Sequence, residues 1–422
     1  MRADVTFRTG PSVLVEQETG TDGLEEDDMT GDVTVVGGGV AGLVSAIACA
    51  EAGVRVDLYE AHGSLGGRGR ATPAPYVAHE GPHVFYSDLP HWKWLTDRGL
   101  TGPLGLPALR QAKAGFVRDG RLRPLPPAGL ARMVLPGRPR TAPVDETFHD
   151  WAARRYGERT ARAAANAIGV VTYDADTGRL SAAFVWELFR RVYAPAVPTV
   201  RWVVGGWQGV IDRMEARAGD LGVRIHTGTR LSELPGGRPV IVATELSSAR
   251  GLLGDDSLRW ESGHCVLRDL AVRSDRRDRL LAVDLDSGGF HEAYSMQDPT
   301  IAPRGESLFQ LDMPVRAGES AGEARERLDA LADLTVPGWR ERTTWQRTAT
   351  AKGRTGALDL PGSTWRDRPA IDRGDGVFLA GDMVAAPGMR GEIAIFSGIR
   401  AAEGAVRAVR RSAKAAARGR VG

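Results

Sequence analysis

The chain has 422 residues, 42% hydrophobic and 26% charged, with a formal net charge of +2. That length suits two domains with sizeable cores, and the near-balanced charge gives no general attraction to nucleic acid. Two cysteines, Cys49 and Cys265, exclude a disulfide framework and fit a reducing, cytoplasmic compartment. No apolar run reaches transmembrane length, and only four lysines stand among the 55 cationic residues, a bias with no functional reading.

Residues 1–29 are acidic after Leu14, with Glu16, Glu18, Asp22, Glu25, Glu26, Asp27 and Asp28 and little apolar patterning. The segment is expected to be a mobile, dispensable extension, or to reflect a start placed ahead of Met29. Val33–Val36 then reads as a buried parallel strand. Gly37, Gly39 and Gly42 fill the glycine positions of G-x-G-x-x-G: a tight turn, a close approach of backbone to pyrophosphate, and a close helix–strand contact. A helix over about Val40 to Ala52 begins there, so the N–H groups of Val40, Ala41 and Gly42 and its positive end face the phosphates. Ala41, Ala46, Ala48 and Ala50 keep it slim and Gly53 closes it. Val54–Tyr59 alternates apolar and polar residues as a second strand, and Glu60 stands eighteen residues after Gly42. A carboxylate there accepts ribose hydroxyls and repels a 2′-phosphate. Strand, turn, helix, strand and acid at this spacing call for a dinucleotide; a glycine turn without ligand is the bland alternative.

Leu65-Gly66-Gly67-Arg68 follows Glu60, and Val377-Phe378-Leu379-Ala380-Gly381-Asp382 lies far downstream. With these motifs the chain resembles the flavin-containing amine oxidase and phytoene desaturase superfamily. Glu392-Ile393-Ala394-Ile395-Phe396-Ser397-Gly398-Ile399-Arg400-Ala401-Ala402 is similar to the family's C-terminal E-G-A-V-x-S-G-x-x-A-A helix. Gly205-Gly206-Trp207-Gln208, Val223–Thr227 and Pro239–Thr244 match its middle blocks in order. The resemblance implies FAD held non-covalently, since Met383–Arg390 has no cysteine. By it, Gly67 and Arg68 lie along the cofactor, Gly381 and Asp382 bind its ribityl or phosphate part, and Pro387, Gly388 and Met389 line the ring. A helix from about Gly391 would aim its positive end at the flavin, where charge gathers on reduction.

The implied fold is α/β: a Rossmann-like FAD-binding domain of the glutathione reductase and amine oxidase type, with a discontinuous α+β substrate domain. The FAD domain takes 30–76, 203–247 and 370–410; the substrate domain takes 77–202 and 248–369. A basic tail, 411–422, ends the chain. Arg407, Arg410, Arg411, Lys414, Arg418 and Arg420 read as a solvated helix end, with peripheral contact to an anionic membrane as the sharper reading.

Catalytic residues are not legible. His83, in Gly81-Pro82-His83-Val84-Phe85, is the candidate for orienting substrate or for acid/base work, against a structural hydrogen-bonded histidine. Trp92, Trp94, Trp186, Tyr193, Trp202 and Trp207 are read as pocket wall or core, and Phe184, Val185, Leu188, Phe189 and Val192 as a helical core face. Asp174 and Asp176 lack enough neighbours for a metal site. The lysine that holds water near the flavin in amine oxidases has no counterpart among Lys93, Lys113, Lys352 and Lys414, and their aromatic cage is not evident. The chain is also shorter than carotenoid desaturases usually are and shows no counterpart of their apolar membrane-docking region. The expectation is an FAD-dependent oxidoreductase that removes hydride from a small apolar molecule such as a terpenoid, amine or secondary metabolite, with its electron acceptor open. A redox-neutral flavin-dependent isomerase is the alternative. A non-enzymatic isoprenoid-binding protein, as in the Rab GDP-dissociation inhibitors, is the third reading.

Overall fold

The computed structural model describes residues 32–107, 113–195 and 197–419. The expected N-terminal extension, 1–29, lies outside the described residues. A five-stranded parallel sheet runs in the order Val377–Leu379, Val240–Val242, Val33–Val36, Val56–Tyr59, Arg224–His226. Its central strands are apolar on both faces because both faces are covered. Val33 and Val35 meet the helices Val40–Glu51, Gly206–Asp220 and Gly391–Gly419, whereas Val36, Val240 and Val242 meet Leu246, Ala249 and Met383 on the other side.

Small residues set the helix contact. A Cβ on Gly398 would stand 2.7 Å from the Ala41 carbonyl oxygen, so only glycine lets the first and last helices touch. Ser45 Oγ donates across that contact to the Gly398 carbonyl at 3.1 Å.

Three local features refine the sequence reading. Of the two polar residues of Val54–Tyr59, Asp57 is fully buried instead of facing solvent, covered by the side chains of Arg224, His226 and Arg238. Arg224 donates to the Asp57 carboxylate at 2.7 Å. The block Gly205-Gly206-Trp207-Gln208 opens the helix Gly206–Asp220, entered through Gly205 in the left-handed region at φ +82°. Of the basic tail 411–422, residues 411–419 continue the last helix to Gly419, in keeping with its reading as a helix end and as the alanine-rich run after Ser412 favours.

A second sheet has seven strands in the order Thr343–Ala357, Ser262–Arg273, Glu306–Pro314, Phe290–Ala293, Leu281–Asp284, Ala114–Arg118, Arg121–Arg123. It is antiparallel except where Leu281–Asp284 meets Ala114–Arg118. One face, carrying Val266, Leu270, Val272, Phe309, Leu311 and Met313, packs on the helix Ala321–Thr335. The opposite face turns toward residues 76–86 and Tyr173. A three-stranded sheet of Val84–Tyr86, Val200–Val203 and Leu104–Gly105 joins the two parts. Helices Phe148–Tyr156, Glu158–Ala167 and Ala182–Tyr193 complete the second part around Phe148, Trp151, Trp186 and Phe189. Of the expected face on the last of these helices, Val185, Leu188 and Phe189 are buried and Phe184 and Val192 partly so.

Candidate active site

The glycine loop is shaped by steric demand. Gly37 sits at φ +104°, with its N–H donating to the Tyr59 carbonyl at 2.7 Å. A Cβ on Gly42 would collide with the Gly37 carbonyl. A Cβ on Gly39 would meet nothing within 4 Å, so the backbone opens outward there. Gly39 is also the N-cap of the helix Val40–Glu51, and no side chain caps it. The first-turn N–H groups of Val40, Ala41 and Gly42 are thus supplied with no acceptor from a capping side chain, the arrangement that takes a phosphate.

Glu60 stands beside this helix end, its Oε2 accepting from the Gly38 N–H at 2.7 Å and its Oε1 from the His62 N–H at 2.8 Å. The His62 ring Nδ1 lies 2.7 Å from the same Oε1. Burial disfavours the charged carboxylate, yet these hydrogen bonds outweigh it and hold Glu60 below the ordinary glutamate range.

The second glycine pair packs against the first. Gly66 N–H donates to the Gly38 carbonyl at 2.8 Å, and a Cβ on Gly67 would lie 3.5 Å from Gly39 Cα. Arg68 Nη1 donates to Asp382 Oδ2 at 2.7 Å and to the Arg354 carbonyl. Gly381 is fixed to the last helix through Ser397 Oγ, 2.9 Å from its N–H. Met389 donates its N–H to Glu392 Oε2 at 3.0 Å, while its side chain is buried beside Leu285 and Leu358. Glu392 is gripped by both terminal nitrogens of Arg191 at 2.9 and 2.8 Å. Trp207 packs on Phe85 and against Gly391 at the start of the last helix.

An open backbone at Gly39, an uncapped helix end, a charged Glu60 and a continuous path through Gly67, Arg68 and Asp382 fit an adenine dinucleotide. A Cβ on Gly356 would stand 3.7 Å from Asp382 Oδ2 and 3.1 Å from Arg390 Cγ, so that path ends beside the residues preceding the last helix.

The wall facing this path is the inward face of the seven-stranded sheet. Strand register sets Glu292 opposite Gln310, Gln310 opposite Asp269 and Asp269 opposite Arg347, a polar row across four strands. Gln310 Nε2 donates to Asp269 Oδ1 at 3.0 Å and to the His79 carbonyl at 2.8 Å. Arg347 Nε donates to Asp269 Oδ2 at 2.8 Å. Glu292 Oε1 accepts from Trp202 Nε1 and Gln297 Nε2, each at 2.9 Å.

Asp312 stands one row further along, opposite Leu267, and is only 1% exposed. Neither of its oxygens meets an aligned donor, and the neighbouring Tyr173 hydroxyl is likewise unaligned. Arg390 lies over the Tyr173 ring, 4.0 Å from its centroid, and donates to the Val170 carbonyl at 2.6 Å. Burial pushes Asp312 up to about 8, with Arg390 opposing and Asp269 and Glu292 adding to the rise. Burial likewise pushes Glu292 up to about 7, against the hydrogen bonds it accepts. The wall therefore carries proton-bearing carboxyl groups near neutral pH.

His83 is placed between these walls. Its ring stacks on Tyr294 with centroids 4.0 Å apart, and its Nε2 lies 2.9 Å from His79 Nδ1. His79 Nε2 accepts the Gln208 N–H at 3.0 Å, so its Nδ1 carries the proton that His83 accepts. Burial lowers both rings, His79 to about 3, and both are neutral at physiological pH. Asp174 accepts from Arg179 at 2.6 Å and from the Asp176 N–H at 2.7 Å, and no metal-holding group of three or more His, Cys, Asp or Glu exists among the described residues.

Asp312, Glu292, Tyr173 and Arg390 were not foreseen as site residues. The signal for Asp312 is the alternation Ser307-Leu308-Phe309-Gln310-Leu311-Asp312-Met313, which sets Gln310 and Asp312 on the face opposite Phe309, Leu311 and Met313.

The profile of the NAD(P)-binding Rossmann-like domain family matches residues 35–98. No curated protein matched the sequence. Among solved structures, an oxidoreductase from Methanosarcina mazei aligns with TM-score 0.69 at 15% identity, over 88% of this chain and 99% of that one. Cyclohexylamine oxidase from Brevibacterium oxydans aligns with TM-score 0.61 at 18% identity, over 91% and 99%. Reduced UDP-galactopyranose mutase aligns with TM-score 0.64 at 14% identity, over 89% and 95%. Over about nine-tenths of its length, this chain shares the fold of these oxidoreductase, amine oxidase and mutase structures.

Proposed function

We propose that the protein is an FAD-dependent oxidoreductase that removes hydride from a small apolar molecule: a terpenoid, an amine or a secondary metabolite. The observation that carries this reading is the open, uncapped helix end at Gly39 with Glu60 beside it, continued through Arg68 and Asp382 toward the last helix. Bound FAD would supply the hydride acceptor. The N–H groups of Val40, Ala41 and Gly42 would hold the pyrophosphate and Glu60 the adenosine ribose hydroxyls. Arg68 and Asp382 would exchange their mutual bond for contacts along the cofactor, without covalent attachment. The positive end of the helix from Gly391 would stabilise negative charge at the ring.

On the substrate side, the sheet face and the packed aromatics Trp202, Trp207 and Tyr294 exclude water. Asp312 holds a proton at its carboxyl group beside the Tyr173 hydroxyl, and so can give a hydrogen bond to a polar substituent or take part in its protonation. The cyclohexylamine oxidase of like fold favours an oxidation. A redox-neutral isomerisation on the same scaffold is the second reading, favoured by the likeness to the reduced mutase. Oxygen, a quinone or another protein would reoxidise the flavin. The two buried, unpaired cysteines suit a cytoplasmic setting.

The test is the visible absorption spectrum of the purified protein, with identification of the chromophore released on denaturation. Released FAD is expected, followed by anaerobic bleaching with an amine or terpenoid substrate. A colourless protein that cannot be reconstituted with FAD overturns the proposal.

A further inference from the structure

Large apolar side chains left in water are concentrated on one part of this molecule. Of the seven strongly exposed among the described residues, five are Leu104, Leu106, Leu125, Leu135 and Val197. Leu106 is 81% exposed, Leu125 74%, Val197 65% and Leu135 54%.

Leu104, Leu106, Leu135 and Val197 lie on segments that the fold ties together, and Leu125 precedes the short helix Ala128–Val134 that Leu135 ends. Arg138 Nη1 donates to the Val134 and Leu135 carbonyls, and its Nη2 reaches the Ala194 carbonyl at 3.0 Å, three residues before Val197. Trp186 Nε1 anchors the same turn through the Pro139 carbonyl at 3.0 Å. The pairing of Leu104 with Val203 and Gly105 with Trp202 sets Leu106 beside the start of the strand that Val197 precedes.

Charge on these segments has one sign. Residues 120–144 contain Arg121, Arg123, Arg132, Arg138 and Arg140 and no acid. Arg121, Arg123, Arg132 and Arg140 are exposed beside Leu125 and Leu135. Asp286 accepts from the Asp119 and Gly120 N–H groups at 3.1 and 2.9 Å, at the start of this run. Asp119 is engaged by Arg159 at 2.8 Å, Glu146 is paired with Arg154, and Asp145 and Glu187 are exposed beyond. The short helix Ala128–Val134 buries Leu130 and Met133 and shows Ala131 and Arg132 to solvent.

We propose that this face docks on the surface of an anionic lipid bilayer, with Leu106, Leu125, Leu135 and Val197 entering the headgroup boundary and the arginines pairing with lipid phosphates. Exposed leucines flanked by arginines without acids match an interfacial anchor in both its apolar and its electrostatic parts. No contiguous apolar run announces it, because the segments are separate in sequence and are joined by Arg138 and by strand pairing. The inference is independent of the flavin and of any substrate.

The experiment is co-sedimentation of the full chain with vesicles of phosphatidylcholine alone or with 30% phosphatidylglycerol, at low and high salt. Binding to the anionic vesicles is expected, weakened at least tenfold by high salt and by omission of the anionic lipid. L125E/L135E and R123E/R132E should each lower the partition coefficient at least tenfold while leaving the melting temperature unchanged, since all four side chains are exposed. R410E/R411E/K414E on the last helix should change it less than twofold. Absence of anionic-vesicle binding, or binding abolished by the last-helix variant and kept by the patch variants, overturns the proposal. So does a dimer in solution that L125E/L135E dissociates, which would make a second copy of the chain the occupant.

Discussion

Replacing Asp312 by Asn removes one titrating group with little change of shape. In the folded chain Asp312 titrates at about 8, against an ordinary value of 3.8. Between those values the folded chain keeps a proton that the unfolded chain has released. The stability from this group is therefore full below about pH 4 and is lost as pH rises through about 8, at about 1.4 kcal/mol per unit. Between pH 5 and 9 the loss comes to about 4 kcal/mol, of which about 1.4 kcal/mol falls between pH 7 and 9. Glu292, titrating at about 7, adds about 0.4 kcal/mol over that upper interval and remains in the variant. For a chain of this size, about 1.4 kcal/mol corresponds to roughly 2 °C in melting temperature. The assay is a tryptophan-fluorescence melt of both proteins at pH 6, 7, 8 and 9. The wild type should lose more than D312N between pH 7 and 9, by roughly 2 °C. Parallel alkaline declines would refute a proton held on Asp312.

Glu60→Ala frees the buried Gly38 N–H and should weaken flavin retention by about 1–3 kcal/mol; a variant that purifies with full flavin absorbance would remove Glu60 from the site. Gly39→Val should abolish flavin binding, because its side chain would enter the space in front of the helix end, where its Cβ meets no protein atom within 4 Å. Its melt without added cofactor should stay near that of the wild-type apoprotein, and a large drop would make Gly39 a packing glycine instead. Gly398→Val should lower stability by at least about 2 kcal/mol, since its Cβ would press on the Ala41 carbonyl oxygen and on Val44; an unchanged denaturation midpoint would contradict the close helix contact.

The cofactor half was legible because its requirements are local. Gly37 and Gly66 take positive φ and a Cβ on Gly42 would strike the Gly37 carbonyl, demands set within one turn or loop, so their spacing survives in a single sequence. Gly398 is the exception: it stands out only as part of the C-terminal motif, and the neighbour that explains it, Ala41, lies in the first helix. The substrate half was not legible for the opposite reason. Asp269, Glu292, Gln310 and Asp312 come together only through the register of three strands, and each alone is one polar residue in a strand. Tyr173 and Arg390 both adopt positive φ, at 53° and 46°, without the glycine that would have flagged it. Asp57 shows how alternation misleads when side chains from a neighbouring strand cover a polar residue.

The strand order also bears on how the chain is made. Val33–Val36 pairs with Val240–Val242, which in turn pairs with Val377–Leu379. As the polypeptide leaves the ribosome, the glycine loop emerges first but has only Val56–Tyr59 to pair with until more than half the chain has followed. The last helix, which covers Ala41, Ser45 and Cys49, arrives at the very end. Such distant pairings fold slowly and expose apolar surface meanwhile. A product cut short before Gly391 would therefore yield no smaller working unit: its first helix would stand uncovered, a substrate for chaperones and proteases rather than a half-built enzyme.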